Sequence, residues 1–132
     1  MSDIAYIDAS AFVKLFAPEP ESKAIAAAIE TQWSNLVASE ILAIEAFRAA
    51  IRIGAGAPAA ASHVLRRVVL LPLSAEVRER SCRIGTPELR ALDAVHLATA
   101  LSRDAQVDAI FTYDKRLAQA SADGGLRVLA PA

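Results

Sequence analysis

Apolar and polar positions follow one another along this chain in blocks that switch between two periods. Ile4-Ala5-Tyr6-Ile7, closed by Asp8, is a short apolar run of the kind that forms a buried strand. From Ala9 to Ala17 the period lengthens, with Phe12, Val13, Leu15 and Phe16 on one side, which predicts a helix. Pro18-Glu19-Pro20 interrupts it, and a second helix is predicted from Pro20 to Thr31, with proline in its first turn. Leu36-Val37-Ala38 is a brief strand. Ser39 reads as the N-cap of a long helix through Ile53, which Gly54 ends. Pro58 to Arg67 reads as a helix, and Val68 to Leu73, broken at Pro72, as a short or edge strand. Ser74 caps a helix reaching Ile84. After the Gly85-Thr86-Pro87 loop another helix spans Ala91 to Arg103. Ala109 to Thr112 is a strand and Asp114 to Ala122 a helix. Gly124-Gly125 turns the chain into a last strand, Leu126 to Leu129.

Strands separated by helices predict an α/β fold. The expected architecture is a three-layer α/β/α sandwich with a mostly parallel central sheet of about five strands. No repeat, linker or break in composition divides residues 1–132, so they are expected to form a single domain, large enough to fold without a covalent staple. The chain is 55% apolar and 22% charged, which excludes a disordered polyelectrolyte. The single cysteine, Cys82, excludes a disulfide framework and a cysteine-rich zinc site, and reads as a small buried filler. No apolar run is long enough to cross a membrane, and the acidic opening MSDIAYIDAS lacks the basic region of a signal peptide. A cytoplasmic location is therefore expected. A net charge of −1 means that any nucleic acid has to be met by a local basic patch. The dominance of Arg over Lys suits bidentate phosphate contacts, and follows equally from a GC-rich genome. A domain this apolar has surplus surface, so a homodimer is expected, with Phe12, Phe16 and the Ala-rich helix near Ile25 and Ile29 as candidates for its interface.

In parallel sheets ligands gather at the carboxyl ends of the strands. Asp8 closes the first strand and Asp114 follows the fourth. Two further acids stand in apolar helices. Asp93 has Leu89, Leu97 and Ala100 at helical spacing, and Glu45 has Ile41 and Leu42 one turn back. A carboxylate on such a face is costly unless it is paired or bound to a cation. No lysine lies between Lys23 and Lys115. Each acid also has a structural explanation. Asp8, Asp93 and Asp114 can each cap a helix. Glu45 can pair with Arg48, and Glu40 suits the helix dipole. If the four converge, their repulsion calls for a hard divalent cation, and all-oxygen donors select Mg²⁺ or Mn²⁺ over zinc. Ser10 and Thr112 are either supports for such a site or ordinary hydroxyls. His96, in an apolar helix, reads as a hydrogen-bonded core residue, not a general base. No glycine-rich phosphate loop occurs. A phosphatase or a phosphoacceptor domain built on Asp8 wants a neighbouring acid, and position 10 is Ser.

These motifs resemble those of PIN domains, specifically the VapC-type toxins of bacterial toxin–antitoxin pairs. Tyr6-Ile7-Asp8-Ala9-Ser10-Ala11-Phe12-Val13 resembles the family's opening. Ser39-Glu40-Ile41-Leu42-Ala43-Ile44-Glu45-Ala46 resembles its second motif, in which the acid six residues after the serine selects Glu45 over Glu40. Leu92-Asp93-Ala94-Val95-His96-Leu97-Ala98 and Phe111-Thr112-Tyr113-Asp114-Lys115-Arg116 resemble the third and fourth. The resemblance implies a metal-dependent endoribonuclease, a hydrolase of RNA phosphodiester bonds. Asp8, Glu45, Asp93 and Asp114 would be its catalytic metal ligands, with Ser10 and Thr112 behind them. It also implies a VapB-like antitoxin lying in the active-site groove, and a homodimer. Some relatives carry one more acid after the fourth motif. Here Lys115, Arg116 and Leu117 follow, so a second metal would be held weakly. Lys14, Arg48, Lys115 and Arg116 are candidates to meet RNA phosphates. The competing expectation is a catalytically weak PIN fold that binds RNA or protein.

Overall fold

The apolar run at the start of the chain forms strand β1, Ile4–Ile7, buried along nearly its whole length. The computed structural model describes residues 3–132. From β1 the chain passes through α1 (Ala9–Phe12), a 3₁₀ turn (Val13–Leu15) and α2 (Ser22–Gln32) to β2 (Asn35–Ser39). Helices α3 (Ile41–Ile53) and α4 (Ala57–Leu65) lead to β3 (Val68–Leu71). Helices α5 (Ala75–Ser81) and α6 (Ala91–Ala100) lead to β4 (Ala109–Phe111). Helix α7 (Lys115–Asp123) then leads to β5 (Arg127–Leu129).

The strands form one sheet in the order β3-β2-β1-β4-β5, with every neighbouring pair parallel. The chain winds outward from β1 through β2 to β3, then crosses back to β4 on the other side of β1. The winding therefore reverses at the β1–β4 seam, where open parallel sheets leave a crevice at their carboxyl ends. Tyr6 pairs with Ile110 and Ile7 with Phe111, a register that carries Asp8 alongside Thr112. The core is built on this sheet: Tyr6, Ile7, Ile110 and Phe111 are fully buried, with Phe12, Ile25, Leu42 and Leu117 from the helices against them. Replacing Phe12 or Phe111 by Ala would cost about 3–5 kcal/mol. The three-layer, five-stranded α/β expectation is met, and the sheet is parallel throughout.

Several local expectations are corrected. The first helix is α-helical for only one turn before tightening to 3₁₀, ahead of Pro18, which disfavours helical geometry at the residue before it. Ser39 lies one residue before the assigned cap position of α3, and its hydroxyl still caps the helix by accepting the Ile41 N–H at 3.3 Å. It ends β2, and its N–H donates to the Tyr6 hydroxyl at 2.9 Å. Glu40 takes the cap position without a side-chain bond to its own helix. Its carboxylate instead accepts the N–H of Leu73, tying α3 to the loop after β3. Gly54 does end α3, with φ +114°, a conformation that a side chain would strain. Cys82 is exposed, because α5 buries only Val77 and turns its polar residues outward. Phe12, Ile25 and Ile29 belong to the core and cannot serve as an interface. The exposed large apolar residues are Ile44, Ile51 and Ile53 of α3, with Val69, Leu73 and Leu92. Among the described residues no helix is long and apolar enough to cross a membrane.

Candidate active site

The sheet's carboxyl edge opens beside Asp8. The residue follows β1 directly, and its N–H donates to the Phe111 carbonyl at 3.2 Å, extending the ladder by one rung. Its backbone is extended, so it also starts α1 as N-cap, with Oδ1 accepting the Ala11 N–H at 2.9 Å. Ser10 Oγ donates from 2.8 Å to Oδ1 and 2.9 Å to Oδ2, and Thr112 Oγ1 donates to Oδ2 at 2.6 Å. Both hydroxyls accept in turn, Ser10 from the Tyr113 N–H at 2.9 Å and Thr112 from the Asp114 N–H at 3.1 Å. Asp8 is only 2% exposed. Burial pushes its carboxyl above the ordinary value, and the bonds from Thr112, Ala11 and Ser10 pull it back.

Asp114 caps α7 through Oδ1, which accepts the Leu117 N–H at 2.9 Å. The cap explanation thus holds for Asp8 and Asp114 without removing them from the cleft. It fails for Asp93, which lies inside the first turn of α6, where Arg90 holds the cap position. The carboxyl of Asp93 is raised first by burial, then by the like charge of Asp114; Asp8 and Glu45 add to this and His96 opposes it. Asp93 thus feels the other three acids. Glu45, in the second turn of α3, pairs with His96, not with Arg48: Oε1 lies 2.7 Å from His96 Nε2. His96 is buried, as expected, and its Nδ1 lies 2.6 Å from the Tyr6 hydroxyl, with the rings edge to face. Burial pushes the Tyr6 hydroxyl far above its usual range, so it stays protonated.

The four acids line one cleft of about 420 Å³, together with Ser10, His96, Arg90 and Leu92. All four face the same cleft without closing on one point as a ligand cluster. Among the described residues no three His, Cys, Asp or Glu side chains form a ready-made ligand set. The donor chemistry, carboxylates alone, fits a hard divalent cation. Three of the acids also sit where helices begin, so partial positive charge at the N-termini of α1, α6 and α7 offsets some of the repulsion.

Two participants were not singled out from the sequence, Tyr6 and Arg90. A tyrosine inside a buried strand has to find a hydrogen-bond partner, which was the available signal for Tyr6. Nothing in the pattern marks Arg90. Lys14, a candidate phosphate contact, is committed elsewhere: it pairs with Glu21 at 2.9 Å and Glu19 at 3.5 Å and lies over the Tyr113 ring. Lys115 and Arg116 line a separate opening beside Thr86 and Glu88.

Comparison with known proteins places this arrangement. The PIN domain family matches residues 5–123. Two ribonucleases of Mycobacterium tuberculosis, VapC46 and VapC35, are 36% identical over 126 residues and 37% identical over 132 residues, each comparison covering 96% of both chains. Among solved structures, M. tuberculosis VapC20, described as a sarcin-ricin loop cleaving toxin, shares the fold with a TM-score of 0.75 at 18% identity, over 96% of this chain and 99% of that one. A toxin–antitoxin complex from Klebsiella pneumoniae contains a chain similar at 0.73 and 23% identity, over 97% of this chain and 98% of that one.

Proposed function

The chain belongs to the PIN-domain family, among the VapC ribonucleases, and from that premise we propose that it is a Mg²⁺- or Mn²⁺-dependent endoribonuclease acting as the toxin of a toxin–antitoxin pair in the cytoplasm. One observation carries the site assignment. Asp8, Glu45, Asp93 and Asp114, from four separate segments of the chain, line a single cleft at the carboxyl edge of the sheet. Asp8, Glu45, Asp93 and Asp114 would hold the cation, directly or through water. When bound, it supplies charge to a scissile phosphoryl oxygen and makes water a better nucleophile at neutral pH.

The protein's own residues do the positioning. Thr112, Ser10 and the Ala11 N–H lock both oxygens of Asp8, so that carboxylate cannot swing away when substrate enters. Arg90 in the cleft, and Lys115 and Arg116 in the separate opening beside Thr86 and Glu88, are candidates to meet RNA phosphates. The toxin–antitoxin complex among the structural relatives supports an antitoxin partner, which the motif resemblance would lay in the active-site groove. The exposed isoleucines of α3 support a homodimer, on a different surface from the one expected of the sequence.

Purified protein should cut single-stranded RNA with Mn²⁺ present and stop cutting in EDTA. Its expression should arrest growth, and Asp8→Ala at equal protein level should relieve the arrest. An Asp8→Ala protein as toxic as the parent would refute the site.

A further inference from the structure

A chain of buried hydrogen bonds stands behind Glu45 and admits a self-consistent direction. The Ser39 N–H can only donate, so it occupies a lone pair of the Tyr6 oxygen at 2.9 Å. That leaves the hydroxyl hydrogen of Tyr6 able to point at His96 Nδ1, 2.6 Å away, and this is the direction we assign. An accepting Nδ1 leaves the ring hydrogen on Nε2, which faces Glu45 Oε1 at 2.7 Å. A carboxylate offers only acceptors, so the opposite tautomer would set lone pair against lone pair there. We propose that Tyr6 and His96 are positioning residues: they form a relay from the sheet that fixes the Glu45 carboxylate by one oxygen and leaves the other for the cation. Their role rests on Glu45 being a cation ligand, as assigned above.

The relay answers a mechanical problem. Asp8 is locked by its own strand and its neighbour, whereas Glu45 is carried by α3 on a long, rotatable side chain. Free rotation would have to be lost on binding the cation. Tyr6 lies on β1, two residues before Asp8. The same strand therefore sets Asp8 directly and Glu45 through two buried side chains. Because Nε2 is spent on Glu45, His96 has no free nitrogen with which to act as a base in the cleft.

The test has a spectroscopic arm and a binding arm. In the unmodified protein, ¹⁵N-labelled at histidine, two-bond ¹H–¹⁵N spectra read the tautomer of His96 without any substitution. The hydrogen is expected on Nε2 alone; a hydrogen on Nδ1 overturns the relay. In calorimetric Mn²⁺ titrations, Tyr6→Phe and His96→Leu should each weaken binding about 10-fold or more, the range for groups that orient a ligand. His96→Gln, which keeps an N–H donor, should recover most of the loss. Unchanged affinity in Tyr6→Phe and His96→Leu, or His96→Gln as weak as His96→Leu, overturns the relay while leaving the cation site standing. An Asp8→Asn protein that binds Mn²⁺ as the parent does overturns the cation site itself, and the two failures are thereby told apart.

Discussion

The two sides of the cleft are held in different ways. On the seam side, Asp8 takes its donors from Ser10 and Ala11, two and three residues on, and from Thr112, the first residue past the neighbouring strand. One donor is backbone, and the two hydroxyls are themselves pinned by backbone N–H groups. On the helical side, Glu45 is held by His96, 51 residues away, and His96 by Tyr6, 90 residues from it. The seam side needs only the β1–β4 register. The helical side needs α3 and α6 to pack correctly over the sheet before any of its bonds exist. Two acids held by independent routes, one local and one through distant packing, face the same cleft.

Substitutions should separate the two sides, and the largest effects are expected on the acids themselves. Asp8→Asn keeps the shape and the cap, yet RNA cleavage should fall at least about 100-fold, beyond the 10- to 100-fold typical of supporting groups. Glu45→Gln should behave likewise, whereas Glu40→Gln should retain most activity; the reverse pattern would move the second motif by five residues. Thr112→Val removes the shortest bond to Asp8 and should lower cleavage about 10- to 100-fold with the fold intact by circular dichroism. Activity equal to the parent's would show that Asp8 needs no support from β4.

A smaller effect concerns stability. Asp93 and Asp8 have carboxyls raised in the folded protein, so folding takes up protons, and stability falls as pH rises through those raised values. In EDTA the parent should therefore melt lower at neutral pH than just above the ordinary carboxylate range. Asp93→Asn should flatten that difference and raise the neutral-pH melting temperature by about 2–4 °C. Mn²⁺ should raise the parent's melting temperature much more than the variant's. A variant that melts lower than the parent in EDTA and responds equally to Mn²⁺ would remove Asp93 from the site. The smallest effect is expected of Glu40→Ala, which loses the bond to Leu73 and should cost about 1 kcal/mol in denaturant unfolding, without changing cleavage.

The contrast between the two sides also explains what was legible in the sequence. Asp8, Ser10 and the helix they start are a local pattern, and a buried apolar run ending in an acid announces the strand's carboxyl end. The alternation of strands and helices carried the layers, and Gly54 marked the end of α3. Pairings between distant segments were not legible. Glu45 offered Arg48 at helical spacing, but α6 brings His96 closer than the local candidate comes. Phe12, Ile25 and Ile29 looked like spare apolar surface because nothing in a one-dimensional pattern shows that α1 and α2 turn them inward onto β1 and β2. Ser39 was legible as a cap, and its hydroxyl does accept the Ile41 N–H, but not as the last residue of β2, because the strand extends one residue beyond the apolar run.

The central claim, that four separated motifs close on one cation, is tested most directly by paramagnetic broadening of amide resonances as Mn²⁺ is added to ¹⁵N-labelled protein. The account predicts that signals around Asp8 to Ser10, Glu45, Ala91 to Asp93 and Thr112 to Asp114 broaden first and together, and that Asp8→Asn abolishes the effect. Broadening centred on the acids beside Lys14, or spread evenly over the surface and unchanged by Asp8→Asn, would contradict it.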